Sequence, residues 1–338
     1  MKNDLIKITF TLLFAIMCIS ARAEYDFKVD GLYYRVISLE NLTCACVDEQ
    51  NTSNNAQKSK YTGDIIIPST VNCGERVFTV VEVGERAFLL SDITSVKIGE
   101  SVKVIRRDAF SGCKELQRVV FEDGVNVIEP SAFNGCWKLE YVKLPNTLQK
   151  IGNYAFKDCE ALSCEIVIPP SCKFVGEGAL PISGKYSVRV SEGSTPLTMY
   201  KYGLGRLGGE TLYIGRNLSS DYQYVGVYEY QDVIFGDSVT IMPECYRSSS
   251  NIKESSLSLE TEKIRTLIIG KSIAIVPLIE MFDIETIRIR SSLPPKATGF
   301  LDKVYLNATL YVPKGSLSAY QNADVWKDFW NIKEVEMR

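Results

Sequence analysis

Apolar residues in the middle of the chain recur at a fixed spacing. Val96, Val119 and Val142 are each separated by 23 residues, and seven further positions repeat with them. The three rows are Val96, Ile98, Val102, Ile105, Ala109, Phe110, Cys113 and Leu116; Val119, Phe121, Val125, Ile128, Ala132, Phe133, Cys136 and Leu139; and Val142, Leu144, Leu148, Ile151, Ala155, Phe156, Cys159 and Leu162. A period in this range indicates one supersecondary unit stacked on copies of itself, because a single unit is too small to bury its own apolar side. The pattern therefore predicts a repeat solenoid.

Each repeat contains two local patterns. An alternating apolar pair such as Val142-x-Leu144 predicts a short strand. The Ala-Phe-x-x-Cys-x-x-Leu segment that begins at Ala155 has helical spacing and predicts a short helix or turn. Stacking would place short parallel strands on the concave face of a curved solenoid and the second segment on the convex face. Caps are expected at both ends, because the terminal repeats lack one neighbour.

The pattern continues less regularly on both sides of these rows. An earlier repeat opens at Ile65, and its extra residues from Cys73 to Val81 predict an added pair of strands. A later repeat opens at Ile166, where the period lengthens by one residue. Further strands are predicted at Val233-x-Phe235, Leu267-x-Ile269, Ile287-x-Ile289 and Leu310-x-Val312. Long polar insertions at residues 216–231 and 247–261 should map to surface loops.

These patterns divide the chain into five parts. Residues 1–23 are predicted to be a signal peptide, and residues 24–61 an N-terminal cap with a hairpin turn at Asp30-Gly31. Residues 62–183 hold the regular repeats, and residues 184–313 the divergent repeats with insertions. Residues 314–338 are expected to form a capping helix, which runs from Ser316 as N-cap to Ile332. The aromatic residues expected to cover the open end of the core are Tyr320, Trp326, Phe329 and Trp330.

The N-terminus has the features of a secretory signal. Lys2 and Lys7 supply positive charge, residues 8–19 are an apolar stretch, and Ala21-Arg22-Ala23 is a small-x-small cleavage site. No apolar stretch reaches the roughly 20 residues that span a bilayer, so no transmembrane segment is predicted. We therefore expect an exported protein, in the medium, at the cell surface or outer membrane, or in the periplasm. Cys18 leaves lipid anchoring open.

The cysteine pattern favours buried thiols over disulfides. The chain has ten cysteines, and removal of Cys18 with the signal leaves an odd number that cannot all pair within one molecule. Cys113, Cys136 and Cys159 share one repeat position, where a coil spacing of about 4.8 Å exceeds the roughly 3.8 Å between the Cβ atoms of a disulfide. Because free cysteine packs as a small hydrophobe, a ladder of buried thiols is predicted.

Composition argues against catalysis and nucleic-acid binding. The chain has no histidine, which removes the commonest general base and a common zinc ligand. The net charge is −3, and acidic and basic residues are interspersed, without the basic stripe that a phosphate backbone requires. Residues 203–208 read Gly-Leu-Gly-Arg-Leu-Gly, but a predicted strand follows where a dinucleotide site needs a helix, so a loop is the better interpretation. No catalytic residue, cofactor or metal is predicted.

The strands also predict a binding surface. Where an apolar pair such as Val96 and Ile98 points into the core, the neighbouring residues point outward. The central outward row is expected to contain Lys97, Val120, Lys143 and Val167, and the flanking row Ser95, Arg118, Tyr141 and Glu165. Regularly spaced lysine, arginine and tyrosine favour contact with an acidic protein surface. Tyr141 is the expected anchor, since exposed aromatic side chains often anchor interfaces.

The repeat pattern resembles a known family. Residues from Val142 to Leu162 follow the pattern Ile-x-Ile-Pro-x-x-Val-x-x-Ile-Gly-x-x-Ala-Phe-x-x-Cys-x-x-Leu, with Val and Leu in the first two positions. This pattern resembles the BspA-like leucine-rich repeat of bacterial surface proteins. The segment Leu310-Tyr311-Val312-Pro313, with the later aromatic residues, resembles the C-terminal segment attached to such repeats in Bacteroidetes. The resemblance covers residues 62–180 and 285–338.

The resemblance implies both a fold and a function. The implied fold is a right-handed, horseshoe-like leucine-rich-repeat superhelix, and the implied proteins are secreted or at the cell surface, some attaching to host proteins or other bacteria. We therefore expect an adhesin-like, non-catalytic module that binds a protein or glycan through its concave face or its insertions. The alternatives are a structural component of an envelope assembly and an enzyme with a carboxylate site between solenoid and insertions.

Overall fold

The structure is a computed structural model that describes residues 25–49, 58–181, 184–200, 202–205, 209–219, 225–226, 230–246, 258–260, 264–279 and 283–337. The predicted signal peptide, with Cys18, lies outside these residues, as do parts of both predicted insertions. The strands of the N-terminal half are β1 (Phe27–Val29), β2 (Leu32–Ser38), β3 (Thr43–Val47), β4 (Thr62–Ile67), β5 (Thr70–Cys73), β6 (Arg76–Val83), β7 (Asp92–Ile98), β8 (Val104–Ile105), β9 (Arg118–Phe121), β10 (Val127–Ile128), β11 (Tyr141–Lys143), β12 (Lys150–Ile151), β13 (Glu165–Ile168) and β14 (Phe174–Val175).

The C-terminal half continues the same succession of short strands. They are β15 (Ser187–Val190), β16 (Leu197–Met199), β17 (Thr211–Ile214), β18 (Leu218–Ser219), β19 (Val225–Gly226), β20 (Asp232–Phe235), β21 (Glu244–Tyr246), β22 (Ser258–Glu260), β23 (Thr266–Ile269), β24 (Ile275–Val276), β25 (Thr286–Ile289), β26 (Lys296–Ala297), β27 (Thr309–Pro313) and β28 (Asn331–Val335). Helices span Asp302–Asn307 and Leu317–Gln321, and a 3-10 helix spans Trp326–Asp328. Among the described residues, no helix is long and apolar enough to cross a membrane.

Parallel strands stack into a solenoid, as the repeat pattern predicts. The longer strand of each coil belongs either to a four-stranded sheet of order β11-β9-β7-β4 or to an eight-stranded sheet that runs from β13 to β28. The short strands β8, β10, β12, β14, β16 and β18 continue a further sheet that starts with β1, β2, β3 and β6. In the regular region, Val119 pairs with Val96 and with Val142, so one period corresponds to one coil.

The periodic apolar residues form a continuous core between these sheets. Every residue of the three rows is buried, with at most 8% of its surface exposed. The rings of Phe88, Phe110, Phe133 and Phe156 stack face to face, with centroids 4.9, 4.9 and 5.1 Å apart. In the next coil, Leu180 is buried without an aromatic ring, so the stack ends there. Burial of each such side chain stabilises the fold by about 1.5–3 kcal/mol.

The Ala-Phe-x-x-Cys-x-x-Leu segments are turns. The residue before each Ala-Phe pair has a left-handed backbone, with φ of 54° at Asp108, 58° at Ser131 and 58° at Tyr154. Such a residue interrupts a right-handed helix. Backbone groups bond between coils instead, and the Phe110 N–H donates to the Ala132 carbonyl at 2.7 Å. Of the two predicted forms, the structure therefore has the turn.

The N-terminal region contains the predicted hairpin. β1 pairs antiparallel with β2 around Asp30 and Gly31, whose φ values are 47° and 84°. β2 pairs antiparallel with β3, and β3 pairs in parallel with β6, which joins the hairpin to the solenoid. The extra residues of the first repeat lie mainly in β6, which pairs antiparallel with β5, so the predicted added pair of strands is present.

The C-terminal region differs from the prediction of one long helix. The strands predicted in the divergent repeats are present as β20, β23, β25 and β27, but the helix spans only Leu317–Gln321. Val325, with φ of 73°, lies between this helix and the 3-10 helix Trp326–Asp328, and β28 then extends the sheet. The Ser316 hydroxyl donates to the Pro313 carbonyl and makes no cap bond to the helix.

The aromatic residues of this region behave in two ways. Tyr320, Trp326 and Phe329 are buried as predicted, and the Trp326 Nε1–H donates to the Pro295 carbonyl at 2.6 Å. Trp330, which was expected to cover the core, is 83% exposed. The difference arises because Trp330 lies just before the last strand, where no further coil follows among the described residues.

Candidate functional site

The outward side chains of the four-stranded and eight-stranded sheets form one kind of surface, which we call the strand face. In β7, Val96 and Ile98 are buried, whereas Lys97 between them is exposed. Because the strands are parallel and in register, outward residues of successive coils align in columns. This surface is the one that the sequence predicts as the concave binding face.

The predicted residues of the first coils lie in two columns. One column contains Ser95, Arg118 and Tyr141, and the other contains Lys97, Val120 and Lys143. Lys97, Arg118 and Lys143 are exposed, and Tyr141 is half-buried. Both predicted sets of side chains therefore face outward and are brought side by side.

The predicted rows are interrupted before Glu165 and Val167. The four-stranded sheet ends at β11, and β13, which carries both residues, begins the eight-stranded sheet. The interruption falls where the period lengthens by one residue, so the strands no longer meet in a hydrogen-bonded ladder. Glu165 and Val167 are exposed at the start of new columns instead of completing the old ones.

The eight-stranded sheet carries a longer part of the strand face than the sequence predicted. One column contains Val167, Arg189, Tyr213, Ile234, Ile268, Arg288, Tyr311 and Lys333. The column beside it contains Thr211, Asp232, Thr266, Thr286, Thr309 and Asn331. From the sequence, outward residues are assigned only as far as Val167, and no strand is predicted at the positions of β15 and β28. The insertions between the later strands also hide which residues become neighbours.

An arginine lies over the tyrosine ring of the next strand at three places on the strand face. The distances from the guanidinium carbon to the ring centroid are 4.4 Å for Arg118 and Tyr141, 4.6 Å for Arg189 and Tyr213, and 4.9 Å for Arg288 and Tyr311. In each pair the two residues are direct cross-strand partners. A contact of this kind contributes about 0.5–1 kcal/mol at an exposed site and orders the arginine.

Acidic residues neutralise some of the cations of this surface. Lys97 pairs with Glu122 at 2.8 Å, and the hydrogen bond from Lys97 holds the pKa of Glu122 below its ordinary value. Arg189 pairs with Glu165 at 2.8 Å. The Tyr213 hydroxyl donates to Glu192 at 3.0 Å, and burial together with this bond raises the pKa of Tyr213.

Other cations of the strand face lie outside these ion pairs. Arg118, Lys143, Arg288 and Lys333 form no ion pair with any residue that the structure describes. All four are exposed.

No group of three histidine, cysteine, aspartate or glutamate residues in the described part of the chain could hold a metal ion. Burial raises the pKa of the Cys113 and Cys136 thiols, which makes them poor nucleophiles. Gly203 and Gly205 lie in a turn, and strand β17 follows as predicted; residues 206–208 lie outside the described residues.

Comparisons with known proteins agree with the repeat pattern. Residues 81–197 match the BspA type leucine rich repeat region in six copies. No curated protein matches the chain significantly. Among solved structures, a leucine-rich repeat protein from Bacteroides ovatus is 17% identical, with 92% of this chain and 100% of that chain covered and a TM-score of 0.43.

Two further solved structures are similar over much of the chain. The T. pallidum leucine rich repeat protein TpLRR is 23% identical, with 62% of this chain and 85% of that chain covered and a TM-score of 0.39. The pneumococcal vaccine antigen PcpA is 16% identical, with 92% and 98% covered and a TM-score of 0.38. Residues 81–197, with six matched copies stacked in one solenoid, are therefore repeats of the BspA type.

Proposed function

We propose that this protein is an exported, non-catalytic binding module that recognises an acidic segment of another protein through its strand face. The observation that carries the proposal is that an arginine lies over the tyrosine ring of its direct cross-strand partner at three separate places on the strand face. Two of these pairs lie in the column that begins at Val167, and the pair of Arg118 and Tyr141 lies in the column that begins at Ser95. Tyrosine and arginine are the side chains that most often dominate protein interfaces.

The geometry of the pairs supports recognition of carboxylates. A guanidinium group presents several N–H donors in a planar fork that matches a carboxylate. Contact with the tyrosine ring reduces the freedom of the arginine, so less conformational entropy is lost when a ligand binds. Arg118 and Arg288 combine this ordering with the absence of an ion-pair partner among the described residues.

The surface also has the composition of an interface centre. Ile234 and Ile268 are half-buried neighbours in one column, with Tyr213 before them and Arg288 after them. An apolar centre with charged and polar surroundings is the usual arrangement of a protein interface. An extended ligand laid across the strands would meet both kinds of side chain.

The test uses arrayed peptides of graded aspartate and glutamate content, with a glycan array as a second probe. The variant carries Tyr141→Ser, Tyr213→Ser and Tyr311→Ser together. The matched control is Tyr154→Ser, because Lys157 lies over that ring at 5.6 Å but on the turn side of the solenoid. We expect binding of acidic peptides to fall at least about tenfold in the triple variant and to be unchanged in the control.

Three results would reject the proposal. Equal binding of acidic peptides by the triple variant and the unaltered chain would remove the strand face as the site. If the unaltered chain binds glycans but no acidic peptide, the strand face is a carbohydrate-binding surface. If it binds neither peptides nor glycans, a structural role in an envelope assembly is favoured.

Export is part of the same proposal and needs its own experiment. Protease added to intact cells should degrade the protein if it is displayed at the surface, and protein in the medium would indicate secretion. Degradation only after the envelope is opened would place it in the periplasm, where a ligand outside the cell is out of reach.

A further inference from the structure

The strand face ends in an unpaired strand at each end of the solenoid. β4 is the last strand of the four-stranded sheet, and β28 is the last strand of the eight-stranded sheet. Neither has a second neighbour within the described residues. An unpaired strand presents free N–H and C=O groups and is a template for pairing with another chain.

The open edge of β4 exposes the backbone groups of its outward residues. Within the stack, the Gly99 N–H donates to the Ile67 carbonyl at 2.9 Å. The backbone groups of the inward residues of β4 therefore point to the next coil. Since these groups alternate along a strand, Asp64 and Ile66 direct theirs to the open edge.

The open edge of β28 exposes the backbone groups of its inward residues. The Lys314 N–H donates to the Val335 carbonyl at 3.1 Å, so the outward residues of β28 bond to the preceding coil. Ile332 and Glu334, which alternate with them, therefore direct their backbone groups to the open edge. Neighbouring coils in the rest of the stack are joined in the same way. The backbone groups of inward residues of one strand form hydrogen bonds with the backbone groups of outward residues of the next strand.

We propose that this protein assembles head to tail, with β28 of one molecule pairing in parallel with β4 of a second copy. The register that continues the columns places Asn331 beside Asp64, and Lys333 beside Ile66. Because the contact joins two different surfaces, it is heterologous and adds further copies until the geometry closes a ring. The assembly extends the strand face from one copy to the next and does not depend on what that face binds.

Side chains at the two ends complement one another. Ile66 is 67% exposed and Trp330, just before β28, is 83% exposed, so each leaves a large apolar surface in water. A groove of about 430 Å³ beside β4 is lined by Val29, Leu32 and Ile65 among others. It offers the exposed apolar surface of a neighbouring copy an apolar place to pack.

Charge favours the same pairing. Asp30 and Asp64 lie at the groove, and hydrogen bonds from Ser95 and Thr94 hold the pKa of Asp64 below its ordinary value, so the carboxylate stays ionised. At the other end, Lys333 is exposed and has no ion-pair partner among the described residues. In the proposed register Lys333 lies diagonally across from Asp64 of the second copy. This attraction between opposite charges favours pairing of β28 with β4 over pairing with an arbitrary strand.

The test blocks each edge separately. Ile66→Pro removes one N–H that faces the open edge of β4, and Glu334→Pro does the same at β28; proline is tolerated at edge strands with the N–H side free. The matched controls are Ile66→Val and Glu334→Ala, which keep the backbone N–H. Glu334→Ala also controls for loss of the Glu334 carboxylate, which accepts a hydrogen bond from the Leu317 N–H at 2.7 Å. Circular dichroism verifies the fold of each variant.

Sedimentation velocity and light scattering measure association over a concentration series. We expect the unaltered chain to form dimers and longer species, and each proline variant to associate at least about tenfold more weakly than its control. A mixture of the two proline variants should form a one-to-one dimer and stop there, because each retains the edge that the other lacks.

Three outcomes would overturn the proposal. They are an unaltered chain that stays monomeric at every concentration, a mixture of the proline variants that does not dimerise, and self-association of Glu334→Pro as strong as that of Glu334→Ala. If either proline variant unfolds, Lys333→Glu replaces them as the test. It should weaken association most at low salt, because it brings a second negative charge toward Asp64; unchanged association would again reject the head-to-tail contact.

Discussion

The Sγ atom of Cys136 lies 3.2 Å from the carbonyl oxygen of Phe110, one coil earlier. The same contact joins Cys113 to Phe88 at 3.0 Å and Cys159 to Phe133 at 3.1 Å. Each thiol is therefore a small buried group that also donates to a backbone carbonyl. The cysteine of each regular repeat therefore contributes both packing and a hydrogen bond between coils.

Replacement of Cys136 by alanine should lower the free energy of unfolding by about 1–2 kcal/mol, because a hydrogen bond and some packing volume are lost. Cys136→Ser keeps a donor and should cost less than Cys136→Ala. The control is Cys164→Ala, since Cys164 is only half-buried and its contact with the Val142 carbonyl is 3.8 Å. Urea unfolding followed by circular dichroism gives the three values; an equal loss at Cys136 and Cys164 would contradict the assigned role.

Stability should fall at alkaline pH. Burial raises the pKa of Cys113 and Cys136 well above the ordinary value of 9.0. The folded chain then keeps protons that the unfolded chain releases, so the stabilising contribution is complete below the unfolded pKa and is lost as pH rises above it. We expect a declining free energy of unfolding from about pH 8 to 10 and a shallower decline in the Cys113→Ala, Cys136→Ala double variant. Identical slopes would count against these thiols as the cause.

The stacked phenylalanine rings should be sensitive to loss of volume. Phe133 is fully buried, and its ring stacks on those of Phe110 and Phe156. Phe133→Ala should cost about 3–5 kcal/mol, because a cavity opens between two coils. Phe133→Leu should cost less, since Leu180 is buried in the coil where the stack ends. Thermal and urea unfolding measure both, and a smaller cost for alanine than for leucine would contradict the packing argument.

Arg216 should be a structural residue despite its charge. It is fully buried, and its guanidinium group donates to the carbonyls of Pro169 at 2.9 Å, Pro170 at 2.7 Å and Cys172 at 2.7 Å. Arg216→Met should lower the free energy of unfolding by about 3 kcal/mol or more, because three carbonyls lose a charged donor. The control Arg265→Met removes an arginine whose side chain is 63% exposed and should change little. Similar losses in both variants would show that burial of Arg216 is not decisive.

The sequence predicted strands and burial correctly where a residue's surroundings depend only on its own coil and on the equivalent residues of the adjacent coils. The spacing of Val96, Val119 and Val142 predicted strands, burial and the stacking of equivalent residues, because every regular coil buries the same positions. Strands such as β23 were found by the same alternation even in the divergent part. The thiol ladder followed from the shared repeat position of the cysteines, their odd number and the coil spacing.

Tertiary structure decided which distant residues become neighbours. Arg189 and Tyr213 face each other because their strands pair in one register, and the segment between them does not repeat. The break between β11 and β13, the short C-terminal helix and the exposed Trp330 likewise depend on where hydrogen-bonded ladders begin and end. Periodic burial is a local property that recurs along the chain, whereas pairing across insertions and at free ends depends on the whole stack. For that reason the core and the outward columns of the regular coils could be predicted from the sequence, whereas the neighbours across insertions and at the free ends could not.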